Sequence, residues 1–227
     1  MREIVFDTET TGLDPKKGDR LVEMGCIEMV NRVATGRTFH AYYNPERTMP
    51  AEAEAVHGLN DAFLADKPRF HERAEEFLAF IGDSPLVAHN ATFDFGFLNA
   101  ELVICGFESV CMTRMVDTLA IARRRHPGAK LSLDALCGRY GIDRSHRTLH
   151  GALLDAELLA QVYVELTGGR QIGLELAADA GDTLIELRRS PARKREFRAP
   201  RPHAASLEEL ARHTAFLATI QSPLWEA

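Results

Sequence analysis

The chain has 227 residues, with 27 Lys and Arg against 33 Asp and Glu, a formal charge of −6, 45% hydrophobic residues and 26% charged. That composition fits a globular protein with a sizeable core and excludes collagen-like and wholly disordered chains. Its acidic balance argues against a protein that coats nucleic acid through its own basic surface.

The longest apolar runs, such as Phe77-Leu78-Ala79-Phe80-Ile81, fall far short of the ~20 residues a spanning helix needs. Met1-Arg2-Glu3 leads directly into Ile4-Val5-Phe6 without a secretory leader, so the expected location is the cytoplasm. Cys26, Cys105, Cys111 and Cys137 are widely spaced inside apolar segments and form no Cys-x-x-Cys pair, so buried free thiols are expected.

In chain order, Arg2–Thr8 reads as a strand, followed by strands at Leu21–Val30 and Thr38–Tyr43 with a turn around Asn31 and Gly36. Pro50–Val56 and Phe70–Ile81 carry helical periodicity, the second through Phe70, Ala74, Phe77, Leu78 and Ile81. Leu86-Val87-Ala88 is a short buried strand, and a helix from about Thr92, as N-cap, runs to Ile104 before Gly106. A strand near Met115-Val116 and helices at Thr118–Arg125, Ser132–Tyr140 and Ala152–Leu166 complete an α/β layered unit over residues 1–170. Residues 171–227 hold eight basic and eight acidic residues, so the whole charge excess sits in the first 170. Seven of those basic residues fall in 188–201 with Pro191 and Pro200, which reads as a solvated linker within 171–205. Residues 206–227 form a separate short helical segment.

Three constellations carry chemistry. Asp7-Thr8-Glu9 ends the first strand, where side chains two apart share a face about 6–7 Å apart. Two such anions repel unless a cation sits between them, although a solvated strand end is the plainer alternative. His89-Asn90-Ala91-Thr92-Phe93-Asp94 places Asp94 in the first turn of a helix, where the dipole favours a carboxylate with or without a further role. In His150-Gly151-Ala152-Leu153-Leu154-Asp155, a wholly helical path would set His150 and Asp155 about 140° apart. With His150 on the preceding loop, the two converge on one pocket. Asp155 also sits at the edge of the Leu154, Leu158, Leu159 and Val162 stripe, where a carboxylate needs a partner. Asp7, Glu9, Asp94 and Asp155 are hard oxygen donors that favour Mg²⁺ or Mn²⁺, and His150 titrates near neutral pH. Two such cations, held ~3.5–4 Å apart, suit phosphodiester cleavage.

The order Asp7-x-Glu9, His89-Asn90-x-x-Phe93-Asp94 and His150-x-x-x-x-Asp155 resembles the DEDDh family of 3′→5′ exonucleases. The fuller motifs Asp7-Thr8-Glu9-Thr10-Thr11-Gly12, Val56-His57-Gly58, Ser132-Leu133-Asp134-Ala135-Leu136-Cys137 and Arg147-Thr148-Leu149-His150-Gly151 are similar to its proofreading members, over residues 4 to about 169. The resemblance implies a ribonuclease H-like fold, a five-stranded mixed sheet flanked by helices, with a flexible C-terminal tail. It implies two divalent cations bridged by Asp7, with Glu9 and Asp155 completing the first site and Asp94 holding the second. It makes His150 the general base that releases 5′-dNMPs from mismatched primer ends, with Thr10, Leu13, His57, Asn90 and Phe93 around the terminal nucleotide. For Leu13 and Phe93, a place in the core is the competing reading.

In the tail, Gln171-Ile172-Gly173-Leu174-Glu175-Leu176 resembles the family's sliding-clamp hexapeptide, with Gln171, Leu174 and Leu176 as anchors. Leu176 stands where an aromatic residue is common, and capping of the last helix is the alternative. Leu224 and the lone Trp225 near the C-terminus read as an anchor for a partner, and the resemblance implies that this partner is the replicative polymerase subunit. The expected setting is the bacterial replisome at the nucleoid, on a frayed or single-stranded 3′ DNA end, with room for a small accessory subunit. Two other functions compete: an exoribonuclease on the same carboxylates, and a non-catalytic adaptor between clamp and polymerase.

Overall fold

The computed structural model describes residues 1–145, 147, 149–169 and 204–220. Two compact units divide the chain, Met1–Ala177 and Ala178–Ala227.

In the first unit, β1 (Arg2–Thr10) pairs antiparallel with β2 (Leu21–Val30), which pairs antiparallel with β3 (Val33–Tyr42). Helices α1 (Ala51–His57), α2 (Asp61–Leu64) and α3 (Phe70–Ile81) lead to β4 (Leu86–Ala88), parallel to β1. Helix α4 (Ala91–Ile104) leads to β5 (Met115–Asp117), parallel to β4, and then come α5 (Thr118–Arg125), α6 (Leu133–Tyr140) and α7 (Ala152–Leu166). The sheet order is β3-β2-β1-β4-β5, a five-stranded mixed sheet with helices on both faces.

Side chains alternate along β1, and the alternation sorts the two cores. Ile4 and Phe6 pack with Phe77 of α3 and with Phe95, Leu98 and Leu102 of α4. Val5 faces the other way, with Ile27, Met29 and Val87, against Ala156, Leu159, Ala160 and Tyr163 of α7. The period-two rule therefore turns Asp7 and Glu9 toward α7 and Thr8 toward α4.

Gly25 lies opposite Asp7 in the β1/β2 register. A Cβ there would stand 2.3 Å from the Leu153 backbone and 2.4 Å from the Ala152 carbonyl carbon. The first turn of α7 thus rests directly on the β2 backbone beside Asp7.

Several expectations need correction. The β2–β3 turn is confined to Asn31 and Arg32, both at positive φ, and β3 starts at Val33 instead of Thr38. Gly36 is no turn residue. It sits inside β3 at φ 85°, where the register shifts between Ile27 and Met29, and this bulge breaks the alternation that would mark the strand. Helix α4 begins at Ala91, and the cap position belongs to Asn90 rather than Thr92, in left-handed backbone at φ 65° and ψ 48°. Its amides are satisfied from outside: Asp117 Oδ1 accepts from Asn90 N at 3.1 Å and Ala91 N at 3.4 Å. The four cysteines are free, but only Cys26 and Cys137 are buried; Cys105 is half-buried, and Cys111 is exposed in the segment before β5.

In the second unit, α8 (Leu207–Leu217) starts at a reciprocal cap. The Ser206 amide donates to Glu209 Oε2 at 2.8 Å, and the Ser206 hydroxyl accepts from the Glu209 amide at 3.3 Å. Gln171, Leu174 and Leu176, the basic stretch 188–201, and Leu224 and Trp225 all lie outside the described residues. Among the described residues, no helix is long and apolar enough to cross a membrane.

Candidate active site

Strand β1 delivers Asp7 and Glu9 on the α7 side, and α7 delivers Asp155 from its first turn. The loop before α7 carries His150, whose Nδ1 lies 3.1 Å from Asp155 Oδ2. One ligand atom each from Glu9, His150 and Asp155 lie within 4.8 Å of one another. The loop placement of His150 and its convergence with Asp155 are thus as expected. The His150 side chain is 48% exposed, open to solvent and substrate, whereas that of Asp155 is buried.

Asp94 approaches from the other side of β1. Its Oδ1 accepts a hydrogen bond from the Thr8 hydroxyl at 2.8 Å, so the residue between the two strand carboxylates orients the third.

Electrostatics distinguish this cluster from the other buried acids. Glu101 is held by two hydrogen bonds from Arg20, Glu28 by Arg2 and Arg37, and Glu23 by His40. Among the described residues, Asp7 and Glu9 have neither a hydrogen-bond donor nor an ion-pair partner. Burial, then the charges of Asp94, Glu9 and Asp155, hold the Asp7 carboxyl well above the usual carboxylate range. Burial and the charges of Asp155 and Glu23 push Glu9 up to about 8. Burial pushes Asp94 up to about 7, against the Thr8 hydrogen bond that favours its charged form. A set of converging carboxylates that cannot all ionise unaided is a hard-oxygen cage short of positive charge, and it fits a divalent cation.

The five residues expected around a terminal nucleotide separate on inspection. Leu13 is 84% exposed, so its place is not in the core. Phe93 is half-buried and packs against Phe97. Thr10 is buried, its hydroxyl donating to the Gly12 carbonyl at 2.6 Å. Asn90 is exposed beside the α4 N-terminus. His57 is buried: Nδ1 accepts from the Leu59 amide at 3.0 Å, while Nε2 meets no partner of hydrogen-bonding geometry. A cavity of about 530 Å³ between β3 and the later turns of α7 contains none of these groups.

Three structural contributors were not singled out from sequence. Thr8 orients Asp94, Asp117 caps the Asn90 turn, and Arg147 donates to Asp155 through Nη2 at 2.7 Å and to Asp134 through Nη1 at 2.9 Å. A threonine flanked by two acids and an arginine three residues before the base were the available signals.

The family model described as Exonuclease matches residues 4–163. The chain is 49% identical over 223 residues to the DNA polymerase III subunit epsilon of Rickettsia felis, covering 97% of each chain. The chain belongs to the DNA polymerase III epsilon family of exonucleases. It is 43% identical over 239 aligned positions to the subunit of that name from Escherichia coli, covering 100% of this chain and 98% of the relative. Among solved structures, exonuclease X in complex with 5′ overhanging duplex DNA superposes with a TM-score of 0.56 at 25% identity, over 73% of this chain and 90% of that one. The nuclease domain of a DEDDh family member bound to rAMP superposes with a TM-score of 0.63 at 15% identity over the same shares, a likeness of fold. The protein is a proofreading 3′→5′ exonuclease of the epsilon type, with the ribonuclease H-like fold expected from its motifs. Membership in this family carries with it the use of divalent metal.

Proposed function

We propose that Asp7, Glu9, Asp94 and Asp155 hold two divalent cations, Mg²⁺ or Mn²⁺, and that His150 is the general base for hydrolysis of the 3′-terminal phosphodiester. The observation that carries this reading is the convergence of Glu9, His150 and Asp155, with one ligand atom from each within 4.8 Å of the others, beside an Asp7 whose carboxyl the charges of the two acids hold raised. When bound, the cations supply Lewis-acid stabilisation of the charge that develops on the phosphate and the leaving oxygen.

The chain's own residues do the rest. Asp155 lies against the His150 ring and keeps it aimed at the reaction centre. His150 accepts the proton of the water that attacks the terminal phosphorus. The P–O3′ bond breaks, the released 3′ oxygen takes up a proton from solvent, and the last nucleotide leaves as a 5′-dNMP. His150, half-exposed, then returns its proton to bulk water. Leu13, with its apolar side chain in solvent, supports the terminal base, and Phe93 backs it from the α4 side. Thr10, Asn90 and His57 supply polar contacts to the nucleotide.

The acidic first 170 residues are a poor electrostatic match for DNA, so delivery falls to partners. Gln171, Leu174 and Leu176 bind the sliding clamp, and Leu224 and Trp225 bind the alpha (polymerase) subunit of DNA polymerase III. The site of action is the cytoplasmic replisome. The decisive comparison is 5′-mononucleotide release in Mg²⁺ from 3′-mismatched DNA and from short RNA of the same sequence. Faster release from DNA is expected; faster release from RNA would replace this reading with RNA trimming.

A further inference from the structure

Arg147 is the one cation that reaches the carboxylate cluster among the described residues, and its side chain is only 9% exposed. Its guanidinium is committed on three sides. Nε and Nη2 each donate to Asp155, Nη2 to Oδ2 at 2.7 Å, in the two-pronged pattern that makes arginine a strong partner for a carboxylate. Nη1 donates to Asp134 Oδ1 at 2.9 Å. Nη2 also lies 2.7 Å from His150 Nδ1.

That last contact has a chemical consequence. A neutral imidazole nitrogen either accepts a hydrogen bond or donates one. His150 Nδ1 therefore either accepts from Arg147 or donates to Asp155 Oδ2, and in both arrangements it is engaged. Both oxygens of Asp155 are likewise occupied by Arg147. The pairs Arg20–Glu101 and Arg2–Glu28 share this chemistry but touch neither the base nor the carboxylate cluster, so nothing requires them to open.

We propose that Arg147 is the built-in counter-ion of the cation-free site, bracing Asp155 and His150 until a divalent cation displaces it from Asp155, with Asp134 retaining the displaced guanidinium. The proposal rests on the ligand set given above. Asp134 suits the retaining role because it lies outside the cluster, is half exposed and already receives Arg144 at 2.9 Å. Arg147 thus makes two events one: cation loading also withdraws the guanidinium from the His150 ring, whose nitrogens lie 2.7 and 3.3 Å from Nη2, and leaves Nδ1 to Asp155. It also sets a threshold, since a cation must outcompete a two-pronged ion pair before the site is armed. As a positioning residue, Arg147 acts through Asp155 and His150.

The test is Mn²⁺ binding to the metal-stripped full chain, followed by calorimetry and by the electron spin resonance signal of free Mn²⁺, together with thermal unfolding. Arg147→Ala should bind Mn²⁺ at least about tenfold more tightly than the wild type, since both charge-assisted hydrogen bonds that compete with the ion for Asp155 are lost and tenfold is about what one of them is worth. It should also unfold at a lower temperature without metal and regain more than the wild type when Mn²⁺ is added. Arg147→Lys, which keeps the charge but loses the fork, should fall between, and it carries the test if the alanine variant does not fold. A purely structural role would lower stability without tightening binding. Equal or weaker Mn²⁺ binding by both variants would overturn the proposal. Asp7→Asn separates the two layers: retention of wild-type Mn²⁺ binding there would refute the ligand set itself.

Discussion

Glu9 is a carboxylate held where its charge is unwelcome, and Glu9→Gln should relieve that cost. Burial and the neighbouring charges of Asp155 and Glu23 lift its carboxyl from the usual 4.5 to about 8 in the folded chain. At 1.36 kcal/mol for each tenfold change in proton affinity, this corresponds to an upper bound of about 5 kcal/mol against the charged form. Because Asp7 and Asp155 share the same repulsion, the measured gain from Glu9→Gln should be on the order of 2–3 kcal/mol at pH 9. The sign follows from proton counting. Between about 4.5 and 8 the folded protein holds a proton that the unfolded chain has released, so metal-free stability falls as pH rises through that window. Urea unfolding in a chelator at pH 5.5 and pH 9 is the assay. The wild type should lose stability at the higher pH, the glutamine variant should lose markedly less, and added Mg²⁺ should stabilise only the wild type. A variant with the wild-type pH dependence, or one less stable at pH 9, would refute the argument that the charge of Glu9 is stored against the repulsion of its neighbours.

Three further outcomes are expected. His150→Ala should lower nucleotide release roughly 10²–10⁴-fold while Mn²⁺ titration still detects binding; unchanged turnover would remove it as the base. Gly25→Ala drives a methyl into the α7 backbone 2.3 Å away and should cost roughly 1–3 kcal/mol by chemical denaturation. By shifting Asp155 it should also cost up to about 10²-fold in rate, and wild-type behaviour would mean that α7 is not positioned through this contact. Deleting residues 206–227 should leave hydrolysis of free single strands intact and abolish co-purification with the polymerase subunit; retained association would place the anchor elsewhere.

What could be read from the residues follows from which constraints are local. Period-two alternation placed Asp7 and Glu9 on one face of β1, and the loop position of His150 followed from the angle that a helical path would have forced. Gly36 and Asn90 were misread because a bulge and a left-handed cap obey tertiary demands: Glu28 faces the extra residues of β3, and Asp117 satisfies the Asn90 turn from another strand. The Gly25 contact with Leu153 and the grip of Arg147 on Asp155 join residues whose pairing no periodicity encodes. Cys111 was expected inside because its neighbours are apolar, yet the segment before β5 runs along the surface.

The central claim is that the carboxylate cluster works by holding divalent cations, and Asp7 is the member whose carboxyl is raised by the charges of all three others. The direct measurement is the Mg²⁺-dependent rate of 5′-dNMP release from 3′-mismatched DNA by the wild type and by Asp7→Ala, each shown to be folded. The account predicts Mg²⁺-dependent release by the wild type and a loss of several orders of magnitude in the variant. Equal rates would exclude metal-ion catalysis through Asp7 and contradict the account.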